Sequence, residues 1–399
     1  MKKQLFILFL LLPAFGFAQT NMNRAGAARI NITPDWKAKL GRDGKPFEGI
    51  HDSLYCRALV ISDGVVQAAM ITLDIGSVRQ QFWEEITTRI EQETGLMSDH
   101  ILLSSTHTHS GPRFMNRTGK SSPDQLAYKQ FLSDAIVKAV GTAQSHMKPA
   151  RMGVGKGLAY INVNRVAKNA SGDYWIGQNP AGFADRDVFV LKFESLDGKP
   201  IGLMVNYAVH CATLNHENFK ITSDIAGATS RLIEEHYNDK MVTLWNSGAA
   251  GDINPLFTHQ TDTERVKELA YALGTESIRI AETMRTSTQM NIRAFQEVVE
   301  FPVKDPESDP IELRLSVLML NHVALCGVSG EAFGLIGKHL KEESPFTYTA
   351  IINHCNGADG YLADDEAYKT PGYGYKKSIV KRGFEDLLIT QYLDMIDKL

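Results

Sequence analysis

Short apolar runs that stop at chemistry-bearing residues organise this chain. Ile71-Thr72-Leu73 ends at Asp74, Ile101-Leu102-Leu103 leads to His107 and His109, and Val205-Asn206-Tyr207-Ala208-Val209 ends at His210. Thr243-Leu244-Trp245 runs into Asn246-Ser247-Gly248 and then Gly251-Asp252-Ile253-Asn254-Pro255, while Val323-Ala324-Leu325 leads through Gly327 and Gly330 to Glu331. Runs of this kind read as buried strands. Layered α/β proteins gather functional groups at strand ends, where loops converge over a rigid sheet. Five such ends in one chain predict a shared site.

The remaining periodicity predicts what covers the strands. Ala58–Ser62 and Val65–Leu73 are joined at Asp63-Gly64, and a second strand pair spans Val188–Val209 with its turn at Asp197-Gly198; Asp-Gly between apolar runs signals a hairpin. Helical spacing occupies 80–96 (Phe82, Ile86, Ile90) and ends near Gly95. Helices are also expected over 123–146, with Leu126, Phe131, Ile136, Val137 and Val140 inward, and over 224–237, 263–284, Glu331–Lys341 and 382–398. Met241–Trp245 and Tyr348–Asn353 read as strands, and 290–328 as β-rich. Strands alternating with helices, with hairpins mixed in, predict an α/β (mixed α+β) layered domain around a mixed sheet flanked by helices. Neither GxGxxG nor GxxxxGK[ST] is present, so a nucleotide cofactor gains no support.

The start of the chain reads as an export leader. Lys2 and Lys3 precede the apolar stretch Leu5–Leu12, and Gly16-Phe17-Ala18 offers a small-residue cleavage site before Gln19. The apolar stretch is too short for a membrane span. The expectation is residues 1–18 as signal peptide, 19–399 as a single catalytic domain, and a periplasmic or secreted destination. Net charge of −4 without a basic block argues against nucleic acid as partner. A small-molecule substrate is expected, with contact at a membrane surface left open. Cys56, Cys211, Cys326 and Cys355 match no CxxC spacing, and their pairing stays open.

Each candidate residue has an ordinary alternative. His107 and His109, at i and i+2, project to one side of extended backbone, yet such a pair also occurs as a hydrogen-bonded loop. His210 could be a satisfied core histidine, Asp74 a loop cap and Asp252 an Asx-turn residue. Glu331 could simply favour a helix N-terminus. Taken together, two or three histidines and a glutamate make a Zn²⁺ set, since catalytic zinc takes N and O ligands and keeps one position open.

With these residues in view, the chain resembles the catalytic domain of the neutral, non-lysosomal ceramidase family. The likeness rests on Thr106-His107-Thr108-His109-Ser110-Gly111-Pro112, Asn164-Arg165, Val209-His210 with Ser223-Asp224-Ile225-Ala226-Gly227, Gly251-Asp252-Ile253-Asn254-Pro255, Gly330-Glu331-Ala332-Phe333, and Gly360-Tyr361 followed by Tyr373. It implies one catalytic Zn²⁺ held by His107, His210, Glu331 and Tyr361. It places His109 near the scissile amide and gives Arg165 and Tyr373 to substrate binding or carbonyl polarisation. Asp252 joins the catalytic set, with Asn164 and Asn254 toward substrate. Zinc lowers the pKa of bound water toward neutrality; Tyr373, His109 or Arg165 would stabilise an oxyanion, and His109 alternatively serves as general acid or base. N-acylsphingosine is the substrate the resemblance implies. A more polar amide, ester or glycan-derived substrate is the first alternative, and a metal-stabilised binding protein the second.

The chain also departs from the family pattern. The family carries Gly-Asp-Val-Ser-Pro-Asn, and here the serine position is Asn254, which excludes a serine acyl-enzyme at that position while leaving a metal-activated water untouched. Ser247 is a weak replacement. The family's immunoglobulin-like C-terminal domain is expected to be lacking. Ala363-Asp364-Asp365-Glu366 is more acidic than its family equivalent, and no added apolar segment offers a sphingoid-chain pocket.

Overall fold

The computed structural model describes residues 22–115, 120–215 and 217–399; the predicted leader lies outside them. Along the chain come β1 (Arg24–Asn31), β2 (Tyr55–Ser62), β3 (Gln67–Leu73), α1 (Gln80–Thr94), β4 (Ile101–Ser105), α2 (Pro123–Ser145) and β5 (Lys148–Leu158). There follow β6 (Asn162–Lys168), β7 (Tyr174–Asn179), β8 (Asp187–Ser195), β9 (Pro200–Tyr207), α3 (Asp224–His236), β10 (Val242–Ser247), β11 (Ile253–Pro255), α4 (Glu264–Thr283) and β12 (Thr286–Ser287). The last part holds β13 (Ile292–Phe301), β14 (Ile311–Leu320), β15 (Val323–Val328), β16 (Glu331–Ala332), α5 (Gly334–Glu343), β17 (Tyr348–Ile352), β18 (Tyr361–Leu362), α6 (Tyr373–Lys377) and α7 (Phe384–Asp397).

Two mixed sheets lie face to face between helical layers. The larger has the order β10-β9-β8-β5-β1-β2-β3-β4, with β12 added at β5, and the smaller β13-β14-β15-β17. The pairs β3/β4, β9/β10 and β15/β17 are parallel. Strand alternation divides the apolar side chains between the layers. Leu59, Ile61, Met70, Leu102, Leu191 and Met204 of the large sheet share one core with Leu318, Leu320, Leu325 and Ile352 of the small one. On the other face Ala58, Val60, Ile71 and Leu103 meet α1 and α2, and Leu203, Val205 and Trp245 meet α3 and α4. The far face of the small sheet packs Leu315, Cys326 and Ile351 against α5 and α7. Because both faces of the sheets are covered there, β2, β3, β4, β9, β10 and β15 are buried along nearly their whole length. This is the predicted α/β class.

Local expectations hold with two corrections. Helix α1 ends where Gly95 adopts φ 72°, a left-handed cap that glycine takes without strain. Helix α2 starts on a Ser122–Gln125 capping box with Pro123 behind it. Its buried stripe is Tyr128, Leu132, Ile136 and Val140, however, and Leu126 and Phe131 are exposed; Phe131 lies one residue, roughly 100°, off that stripe. The second correction concerns Glu331, which lies on β16, paired in parallel with Tyr361 on β18. Helix α5 begins only at Gly334, whose amide donates to Asp252 Oδ1 at 2.8 Å. All four cysteines are buried and free.

Candidate metal centre

The ends of parallel strands from both sheets meet at one place, stitched by main-chain hydrogen bonds. Ser105 N donates to His354 O, Asn353 N to Ser247 O, His354 N to Gly330 O, His210 N to Ile253 O and Gly251 N to Ala332 O. A side chain at Gly251 would meet Glu331 O at 2.5 Å, so glycine is required for this close approach. β4 ends at Ser105, and His107 follows it in a left-handed conformation, φ 57°, so the pair does not lie on the extended backbone expected of it; non-glycine residues rarely adopt this conformation outside constrained sites.

The histidines are oriented from behind. His107 Nδ1 faces Gly76 O at 2.7 Å, His210 Nδ1 faces Ile253 O at 3.1 Å, and His109 Nδ1 faces Asn215 Oδ1 at 3.2 Å. Each Nδ1–H is thereby committed to a carbonyl oxygen, leaving Nε2 bare, which is the usual arrangement behind metal-binding imidazoles. The ring centroids of His107 and His210 are 5.3 Å apart, and those of His107 and His109 5.1 Å. His210 Nε2 lies 3.4 Å from Glu331 Oε2, and His107 Nε2 lies 3.9 Å from Glu331 Oε1. Ligand atoms about 2.0–2.2 Å from a tetrahedral zinc sit roughly 3.3 Å from one another, so the spacing suits one cation.

Two buried atoms make the fit more specific. His210 Nε2 and Glu331 Oε2 are two of twelve buried side-chain atoms without a hydrogen-bond partner among the described residues, and they are singled out by facing each other at 3.4 Å. A cation between them would satisfy both. The electrostatics agree: burial, reinforced by Arg165, pushes His210 down to about 4. Burial and the neighbouring His107 hold His354 well below the ordinary histidine range. Burial would raise Glu331, but His107, His210 and His354 outweigh it and keep the carboxyl well below its usual value. Imidazole nitrogens beside a carboxylate form the donor set that divalent cations take.

His354 is the residue that sequence reasoning missed. It is buried, sits at φ 53°, and stacks on His107 with centroids 3.9 Å apart and planes 11° from parallel. One of its ring nitrogens lies within 4.8 Å of donor atoms of both His107 and Glu331. The signal was there: His354 follows the apolar strand β17 as His210 follows β9. Replacing His354 with Ala removes the surface against which His107 is held. Zinc affinity is then expected to fall about 10–100-fold, measured by competition with a chromogenic chelator; an unchanged affinity would show that the stacking is only packing.

The other predicted residues fall into two groups. Tyr361 and Tyr373 join His107, His109 and Glu331 around a cavity of about 630 Å³, with the two tyrosine rings 6.0 Å apart, edge to face. Arg165 stands behind this wall: its guanidinium donates to Gly251 O at 2.5 Å, Tyr361 Oη at 3.1 Å and Asn254 Oδ1 at 3.2 Å. Burial raises Tyr361 to about 12 while Arg165 opposes the rise. Asp252 is turned inward, accepting from Asn164 Nδ2 at 2.7 Å and from Gly334 N. Asn164 also donates from Nδ2 to Phe183 O and accepts at Oδ1 from Val166 N. Asp252 and Asn164 both line a separate groove with Phe183 and Asp364. Ser247 Oγ donates to main-chain carbonyls of Val209 and Gly248. Asp74 pairs with buried Arg57 at 2.9 Å, two residues before the Gly76 carbonyl that orients His107.

Residues 41–270 match the family described as neutral/alkaline non-lysosomal ceramidase, N-terminal. This chain belongs to that family. It is 27% identical over 231 residues to neutral ceramidase A of Dictyostelium discoideum, covering 52% of this chain and 32% of that protein. It is 24% identical over 249 residues to the neutral ceramidase of Pseudomonas aeruginosa, covering 58% and 37%, so the matches span about a third of these relatives' length. The crystal structure of the Pseudomonas aeruginosa enzyme superposes with a TM-score of 0.78 at 16% identity, covering 95% of this chain and 75% of that one; a ceramidase complexed with C2 gives 0.79, also at 16% identity, covering 95% and 76%. These two likenesses carry the fold. His107, His109, Arg165 and His210 fall inside the family match, whereas Glu331, His354, Tyr361 and Tyr373 lie beyond it. No helix of the described residues is long and apolar enough to cross a membrane.

Proposed function

We propose that this chain is an exported zinc-dependent hydrolase that cleaves an amide bond, with the residues after the leader forming a single catalytic domain. The observation that carries this reading is the pair of partnerless buried atoms, His210 Nε2 and Glu331 Oε2, 3.4 Å apart beside His107. His107, His210, Glu331 and Tyr361 would hold the cation, which supplies Lewis-acid polarisation and an acidified water.

The chain's own residues do the rest. With His109 Nδ1 turned to Asn215 Oδ1 at 3.2 Å, its Nε2 would accept a proton from the attacking water and return it to the departing amine. Tyr373 edges the cavity and can donate its hydroxyl proton to the carbonyl oxygen as charge develops there. Arg165 holds Tyr361 and Asn254 in register. Water adds across the C–N bond, giving a carboxylic acid and an amine.

The substrate the family implies is N-acylsphingosine. A polar amide is favoured by a specific observation: the cavity walls are more polar than apolar and the cavity is open to solvent, where a long alkyl chain needs an apolar tunnel. The test is turnover of a short-chain fluorescent ceramide and of small anilides by metal-loaded, chelator-stripped and zinc-restored protein. Tyr373→Phe should keep its zinc and lose about 10²-fold or more in kcat. Tight ligand binding with zinc in place and no turnover on any amide would favour a binding protein instead.

A further inference from the structure

The geometry points to an anion-binding subsite beside the candidate metal centre, which would make the substrate an amide bearing a carboxylate or sulfate group. This inference rests on the hydrolase reading above and names the substrate class of the same site. Arg42, Arg79 and Arg113 line the cavity that holds His107, His109 and Glu331. They come from three separate places: the turn Arg42–Gly44, the residue preceding α1, and the loop that follows the His-X-His pair. Two of these segments are tied together, because Arg113 N donates to Leu40 O at 2.7 Å. The turn carrying Arg42 is therefore held against the loop carrying Arg113.

Charge on this wall runs opposite to the rest of the chain. The whole sequence has a net charge of −4. Among the described residues, the cavity lining contains three arginines and one carboxylate, Glu331, which the cation would neutralise. Arg113 and Arg42 are close enough to repel: burial and then Arg42 lower the Arg113 pKa, with Asp43 opposing in part. An anion entering beside Arg42 and Arg113 would offset that repulsion further than Asp43 does. Guanidinium groups recognise carboxylate and sulfate through paired N–H···O bonds. A cavity of about 630 Å³ corresponds to a sphere roughly 11 Å across. That leaves room for a scissile amide at the histidines with an anionic group a few bonds away at the arginines.

The test compares two amides that differ in this group, acetyl-4-nitroanilide and succinyl-4-nitroanilide, on zinc-loaded full-length protein. The succinyl compound is expected to have a kcat/KM at least about tenfold higher. That ratio should collapse in Arg42→Gln and Arg113→Gln, and reverse in Arg113→Glu. Circular dichroism and zinc content serve as controls on folding and on the metal site. Turnover of both anilides with a ratio near one, or a ratio that survives the substitutions, overturns the subsite.

A second arm separates failure of the subsite from failure of the hydrolase reading. Succinate and inorganic sulfate are titrated calorimetrically into chelator-treated wild type and an Arg42→Gln/Arg113→Gln double variant. Binding weakened at least about fivefold in the double variant supports the subsite even if neither anilide turns over. The two titrants tell carboxylate from sulfate preference. Equal binding in both proteins, or none in the wild type, overturns it.

Discussion

Glu331→Gln is expected to purify with less than about a tenth of the zinc found in the wild type, and to lose amide hydrolysis with it. The substitution keeps the shape of the side chain and removes only its charge. What remains beside His107 and His210 is a neutral amide, whose nitrogen would face the bare Nε2 of His210 and could hydrogen-bond to it. The apo site therefore becomes satisfied while the metal-loaded site becomes poorer, and both changes act against loading. Elemental analysis of dialysed protein checks the first claim independently of activity, and thermal melts with and without zinc check the second. The wild type should gain stability on zinc addition, and the variant should gain far less. Full zinc retention by Glu331→Gln would remove the carboxylate from the donor set and leave the three histidines to be reconsidered.

A second large effect is expected well away from the cavity. Arg57 is fully buried and bridges Asp74 at 2.9 Å and Glu234 at 3.0 Å. Glu234 also accepts from Arg29 and from Thr243 N. Arg57→Ala strands the buried Asp74 and leaves Glu234 with Arg29 as its one cationic partner among the described residues, and breaking a buried ion pair from one side costs about 3–5 kcal/mol. Urea denaturation should read that loss. The consequence reaches the metal centre, because Asp74 also accepts from Tyr55 N and anchors the turn whose Gly76 carbonyl orients His107. Zinc affinity should therefore fall as well, by about tenfold. A stability loss below about 1 kcal/mol would mean that Asp74 finds water, or takes up a proton, without the guanidinium.

The two effects mark how far the primary structure could be read. The α/β class was legible because β2, β3, β4, β9 and β10 are apolar on both faces and punctuated by Asp-Gly turns and helical spacing. Strands β1 and β5 were not. Arg24–Asn31 and Lys148–Leu158 are rich in Ala and Gly, residues of low strand propensity. Their extended form comes from pairing with β2 over eight residues and with β8 over nine. That is information held by the partners.

The candidate site was legible where a residue ends a strand. His107, His210 and Glu331 follow that rule and meet. The setting of Glu331 was not legible, because the two-residue pairing with Tyr361 depends on a segment 30 positions downstream. His354 obeys the rule too, but the ligand set implied by the resemblance is complete without it. Leu126 and Phe131 show the converse: apolar residues near a helical stripe that the helix nonetheless leaves to solvent.

The centre straddles the seam between the two sheets. His107 and His210 hang from the large sheet, formed by the first part of the chain, while Glu331, His354 and Tyr361 belong to segments around the small sheet and come last. During synthesis the imidazoles are made long before their carboxylate neighbour, so no nascent chain shorter than about 361 residues holds all of the donors proposed for the cation. Assembly of the centre thus reports completion of the fold, and a metal bound there would act as a latch between halves that are translated at different times.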